Sequence, residues 1–302
     1  MSAVATALVT SGAGRQISPA TGRRTQARRL FRMTERRFGI GLLLTCALAS
    51  VLVPALSPWD TESFATAPLE LPSLAHPFGA DQLGRDVLTR TFAATGIDLA
   101  VTVIGVTASL ALGTLAGLAI VVAPRRIRSL ALRLVDAFLS IPYILLVIIL
   151  AGGFATRMQV PGVESRIMAM LAALVLSGWA PYARFTVSRA LALRERESVV
   201  AAKLLGYSAA RVLARHMAPA VISTNLSYAA TQAVGTVGTV ASLAFLGLGV
   251  AEPTPELGQM MQAGIGSLPV AWWVAIIPGL AVLAIGTGFG LIADSLGQET
   301  MG

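Results

Sequence analysis

Lysine is almost absent from this chain: Lys203 is the only one, and Leu204 follows it. A phosphate-binding G-x-x-x-x-G-K-[ST] loop requires a lysine followed by serine or threonine, so the sequence excludes that ATP site. Cysteine occurs once, at Cys46, which excludes an intrachain disulfide. No C-x-x-C, H-E-x-x-H or G-x-S-x-G motif occurs, so nothing marks the chain as an enzyme by itself. His76 has no second histidine or cysteine near it in sequence, which argues against a metal ligand. Charge is scarce too. Charged residues make up 13% of the chain, against about 25% in a soluble domain. The net charge of +8 comes almost wholly from arginine. Such an excess can serve nucleic acid, but here the arginines cluster beside apolar runs. Membrane topology explains them, and no nucleic-acid partner is expected.

What is abundant is apolar surface. Of 302 residues 55% are hydrophobic, mean hydropathy is +0.74, and there are 29 glycines. These values predict an all-α membrane protein with about six transmembrane helices and membrane lipid as a partner. Residues 1–37 read as a disordered, basic cytoplasmic tail, with Arg15, Arg23, Arg24, Arg28, Arg29, Arg32, Arg36 and Arg37 against Glu35 alone. No long apolar core precedes Phe38, so a cleaved secretory signal is not expected. Residues 38–56 form the first span, and the acidic stretch 57–98 lies outside the cytoplasm. A membrane core covers 99–293, and 294–302 is a short cytoplasmic tail. Within the core, spans are expected near 99–122, 130–154, 167–187, 221–245 and 271–293, with a short interfacial helix near 259–267 and both termini in the cytoplasm.

Several features invite function. Ser109, Gly113 and Gly117 are spaced four apart, as are Gly286 and Gly290, a pattern that lets membrane helices approach closely. Asp136 lies inside the third expected span. It is either a functional acid or a structural partner of Arg133. Thr224, Ser227, Thr231, Gly235, Gly238 and Ser242 form a weakly polar stripe along the fifth span. Two readings stand for it: close helix packing or the lining of a solute path. The longest polar stretch between spans four and five is 194–219. Glu197 suits a helix N-terminus, Gly206 suits a left-handed helix end, and Ser208 suits the cap of a second helix. Val199, Ala202 and Leu205 share one face of the first. The pair is either a surface-lying amphipathic loop or a knob for another protein's groove.

The order Ala201, Ala202, Gly206 and Pro219 resembles the EAA loop of permease subunits in ATP-binding-cassette importers, where the loop docks into an ATPase subunit. Val200 stands where that loop carries its glutamate, and Glu197 is the nearest acid. The wording RERESVVAAKLLG…RHMAP is similar to the oligopeptide, dipeptide and nickel branch. So are HPFGADQLGRD at 76–86, with Ala80 in place of threonine, DAFLSIPYILL at 136–146, and FLGLG before a proline-containing loop at 245–256. The resemblance implies half of a translocation path in a bacterial inner membrane. It also implies a second homologous permease, two cytoplasmic ATPases that bind ATP and Mg, and an extracytoplasmic solute-binding protein. No cofactor is expected in this chain. The competing classes are a secondary transporter, which needs paired intramembrane ionisable groups, and a non-transporting scaffold.

Overall fold

A computed structural model of the chain describes residues 19–154 and 165–300. The first 18 residues of the basic tail and most of the 155–166 connection lie outside the described residues. Among the described residues the regular structure is helical throughout. The order is α1 (Pro19–Leu56), α2 (Val87–Val122), α3 (Arg125–Leu139), α4 (Tyr143–Phe154), α5 (Ser165–Leu193), α6 (Glu197–Leu204), α7 (Ala209–Val212), α8 (Ala218–Phe245), α9 (Leu257–Gly264) and α10 (Trp273–Thr300). A π-turn, Leu213–Met217, joins α7 to α8.

Three expectations change. The basic segment is helical from Pro19 and runs unbroken into the first span, so disorder across 19–37 is not found. Proline suits a first helical position, because its missing N–H has no acceptor there anyway. The second span begins at Val87, well before Leu99. The Asp86 carboxylate caps it by accepting the Thr89 N–H at 2.8 Å. The third span is not one helix: α3 and α4 meet at 86°. Ser140, Ile141 and Pro142 fill the break, and a residue before proline is pushed out of helical geometry.

Among the described residues four helices are long and apolar enough to cross a membrane, or five if the bent α3–α4 pair counts as one span. α8 is long enough, at 28 residues, but is not among them. Its hydroxyls, Asn225 and Gln232 dilute its apolar content.

α2 and α5 cross closely. A Cβ at Gly113 would lie 2.2 Å from the Trp179 carbonyl oxygen, and one at Gly117 would lie 2.5 Å from Thr186 Cβ. The predicted small-residue crossing is therefore real. The crossing of α1 with α10 uses different glycines from those expected. Gly39 and Gly288 sit at the contact, whereas Gly286 and Gly290 face open space within this chain.

The bundle has a basic end and an acidic end. At the acidic end the 57–86 segment folds over α2, α9 and α10. Trp273 Nε1 donates to the Ala80 carbonyl at 3.2 Å, and Gln82 Nε2 donates to the Ala263 carbonyl at 2.7 Å. Trp273 is thus core, and only Trp272 is exposed as an interfacial anchor would be. At the basic end Val121, Val187, Val199, Val212, Met217 and Val221 close one apolar cluster.

Candidate functional site

The 194–219 segment is built as its punctuation predicts. Glu197 opens α6, where its charge meets the free N–H groups of the first turn. Gly206 has φ +79°. The Gly206 N–H donates to the Lys203 carbonyl, and the Tyr207 N–H donates to the Ala202 carbonyl, at 3.0 and 3.2 Å. That pair of bonds satisfies the last carbonyls of α6 and reverses the chain. Ser208 Oγ then accepts the Arg211 N–H and caps α7. Pro219 falls in the first turn of α8, where no N–H is needed.

The faces of this helix pair differ from the expected arrangement. Val199 and Ala202 are 1% and 4% exposed and point into the bundle. Leu205 is not on their face: it follows the helix and is exposed, as are Val200, Leu204 and Tyr207. Ala201 and Glu197 are exposed too. Val199 and Ala202 therefore anchor the knob, while Val200, Leu204, Leu205 and Tyr207 make its uncovered apolar surface. Burial of a valine side chain is worth roughly 1.5 kcal/mol or more, so the anchor holds the knob as part of the bundle. Arg194 adds a tie. Its guanidinium donates to the Val121 carbonyl at the C-terminal end of α2, at 2.7 Å, where the helix dipole favours a cation.

The knob runs straight into α8 through the π-turn Leu213–Met217. One side of α8 is buried through Val221, Asn225, Ala229, Ala233, Val237, Val240 and Leu243. Thr224 and Ser227 are half-buried, and Thr231, Gly235, Gly238 and Ser242 are exposed along the other side. A Cβ at Gly235 or Gly238 would meet nothing within 4 Å. The stripe is thus not a packing surface within this chain. The hydroxyls of Thr224 and Ser242 turn back to carbonyls four residues earlier, at 2.8 and 2.6 Å, which keeps the face smooth and leaves it weakly polar.

Sequence reading missed Asn225. It is fully buried, and its Nδ2 donates to Thr114 Oγ1 at 2.8 Å and Thr186 Oγ1 at 2.7 Å. One side chain so ties α8 to both α2 and α5, two turns after the knob. Its signal was an isolated amide among small residues, and such a group buried in a membrane helix must find partners. Asp136 pairs with Arg184 of α5 at 3.2 Å, not with Arg133. Both side chains are about half-exposed, so the pair is worth at most about 1 kcal/mol. The charged side chains of the 76–86 motif are buried. His76 bonds Asp86 at 3.0 Å and stacks on Trp59, while Arg85 pairs with Asp81 at 2.6 Å. Gly79 and Gly84 take positive φ there. Among the described residues no group of three or more His, Cys, Asp or Glu is arranged to hold a metal.

Residues 109–301 match the family model described as binding-protein-dependent transport system inner membrane component. A Brucella suis chain provisionally named a peptide transport system permease protein is 32% identical over 89% of this chain and 88% of its own length. The di/tripeptide transport system permease protein DppC of Pseudomonas aeruginosa is 30% identical, with 85% and 84% covered. A crystal structure of an amino acid ABC transporter with histidines overlays at a TM-score of 0.52 and 15% identity, covering 68% of this chain and 91% of the other.

Proposed function

Because this chain belongs to the binding-protein-dependent transport system inner membrane component family, we propose that it is one half of an importer's translocation path, driven by ATPases on other chains. The relatives' names point to peptides as the solute class. The observation that carries the reading is the two-sided knob at 197–212. Its inner face is fixed in the bundle and its outer face, Val200, Leu204, Leu205 and Tyr207, is apolar and uncovered. We assign the outer face to the groove of a cytoplasmic ATPase that binds ATP and Mg, two copies of which serve two permease chains. Closure of the ATPases pushes the knob, and α8 follows as a rigid body.

The second permease covers the open α8 stripe, and solute passes along the seam. An extracytoplasmic solute-binding protein delivers solute to the acidic end. Six crossings, by α1, α2, α3–α4, α5, α8 and α10, leave both termini in the cytoplasm of a bacterial cell with the protein in its inner membrane. The basic loops at 124–128 and 184–215 then lie inside. Cysteine labelling on a Cys46→Ser background tests this. A cysteine at position 65 is expected to label only from outside, and labelling only from the cytoplasm would exclude the six-crossing arrangement.

If the stripe lines the path, Gly238→Leu should abolish uptake while both permeases and the ATPases still co-purify, because the isobutyl group meets no atom of this chain. Loss of co-purification would instead make the stripe a packing seam. Normal uptake would reject both roles.

A further inference from the structure

Helix α3 has three sides, and only one of them is packed. Val135 is buried, Leu132 lies against the apolar cluster at the basic end, and Phe138 meets Trp179 of α5 with ring centres 5.7 Å apart. The second side carries Ile127, Leu130 and Leu134, which are 58%, 60% and 64% exposed. The third side carries Arg126, Ser129 and Arg133 at the same spacing, one residue earlier, with Arg125 beside them; all four are exposed. Helical periodicity thus sets an apolar stripe and a basic stripe side by side.

Nothing in the chain answers the basic stripe. Among the described residues no carboxylate pairs with Arg125, Arg126 or Arg133. Asp136, the one acid on α3, is taken by Arg184 of α5 at 3.2 Å. Arg128 is turned back toward the Val121 carbonyl and does not join the others. Arg125, Arg126, Ser129, Leu130 and Arg133 line an open cleft of about 480 Å³. Three guanidinium groups and a hydroxyl there are donors without an acceptor. A guanidinium presents a planar fork of N–H groups that matches a phosphate.

The direction of α3 sets its depth. It meets α4 at 86°, so the two cannot both run along the membrane normal. α4 carries no charged residue, whereas α3 carries four arginines and an acid. α3 is therefore the helix that turns toward the membrane surface. A helix with an apolar side and arginines on the neighbouring side lies in the interface, its apolar side among the upper acyl chains. The arginine stems then run up to headgroup level.

We propose that α3 is a lipid-binding helix: Arg125, Arg126, Ser129 and Arg133 hold the phosphate of an anionic phospholipid, and Ile127, Leu130 and Leu134 lie against its acyl chains. A phospholipid is the occupant that satisfies both stripes at once. Soluble phosphate leaves the apolar stripe in water, and an apolar protein surface leaves the arginines unpaired. The bound lipid also steadies α5 at the basic end, because α3 is fastened to it by the Asp136–Arg184 pair and the Phe138–Trp179 contact.

Fluorescent short-chain phosphatidylglycerol, titrated into the full chain in uncharged detergent, tests the site. No transport is measured, so the outcome stands apart from the importer reading. Each arginine near an anionic lipid surface strengthens binding by about fivefold. Arg126→Gln/Arg133→Gln should thus weaken phosphatidylglycerol binding by about twentyfold and leave phosphatidylcholine binding unchanged. The charge-matched Arg166→Gln/Arg189→Gln should bind as the wild type does. Equal losses in the two double variants would overturn the site, since net charge alone would then attract the lipid. Displacement of the lipid by an equal concentration of inorganic phosphate would also overturn it, making the cleft a soluble-anion site. Loss of arginines can disturb insertion, so a second measurement keeps them. A benzophenone-bearing residue in place of Leu130, irradiated in native membranes, should give an adduct with the mass of a phospholipid. An adduct with a protein instead would show that the stripe is covered by a partner and would reject the lipid.

Discussion

Gly113→Leu is expected to leave almost no folded chain in the membrane. The Cβ position of Gly113 lies 2.2 Å from the Trp179 carbonyl oxygen, 2.6 Å from Tyr182 Cβ and 3.1 Å from the Ala183 nitrogen. Two of those atoms are backbone, so no side-chain rotation relieves the clash. α2 and α5 must separate. Overpacking in a core typically costs about 1–3 kcal/mol, and this contact lies at or above the upper end because a whole helix pair has to part. The separation also strains the Asn225 bonds to Thr114 and Thr186, which lie beside it. Membrane helices associate through this kind of close packing and have no water-driven term to replace it. Gly286→Leu is the control: its Cβ meets nothing within 4 Å. The check is the amount of monodisperse protein extracted from membranes, which should collapse for Gly113→Leu and stay near wild type for Gly286→Leu. Equal yields would mean that α2 and α5 do not pack as described.

How much of this was legible beforehand follows from what each signal depends on. Local chemistry read well. The Gly206 turn, the Ser208 cap and the Ser109–Gly113–Gly117 crossing depend on backbone rules within one or two turns, and each stands where the residues placed it. The all-helical membrane class followed from composition, because lipid forces every backbone group to be satisfied within the chain. Relations between distant segments did not read. Spacing offers Arg133 as one possible partner of Asp136, but Arg184 reaches it from another helix. Leu205 was placed on the Val199 face by periodicity, but the helix has ended before it. Asn225 gave no local pattern at all. Its partners lie on α2 and α5, so only the folded bundle brings them together.

The second large effect concerns coupling. Gly206 holds φ +79°, where a side chain costs on the order of 1–2 kcal/mol. A β-branched residue fares worse there, because its two γ groups crowd the backbone on both sides. A Cβ at this position would nonetheless meet no atom within 4 Å. The strain of Gly206→Val is therefore purely conformational and stays in the turn. The Val199 and Ala202 anchors, the Arg194 tie and the packing of the spans do not depend on it. What changes is the aim of Leu204, Leu205 and Tyr207, the exposed surface assigned to the ATPase. The variant should insert at normal levels and pair with its sister permease, yet bind ATPase weakly. Glu197→Ala should show a milder form if Glu197 stands in for the glutamate replaced by Val200.

ATP hydrolysed on another chain is proposed to move this one through the 194–219 knob. ATPase retention and ATP-driven solute uptake, measured together in proteoliposomes of the reconstituted importer, test it most directly. Uptake is expected only when the ATPases and ATP are present, and Gly206→Val is expected to lose both retention and uptake with permease levels unchanged. Full retention and uptake by Gly206→Val, or uptake by the permeases alone on an ion gradient, would contradict it.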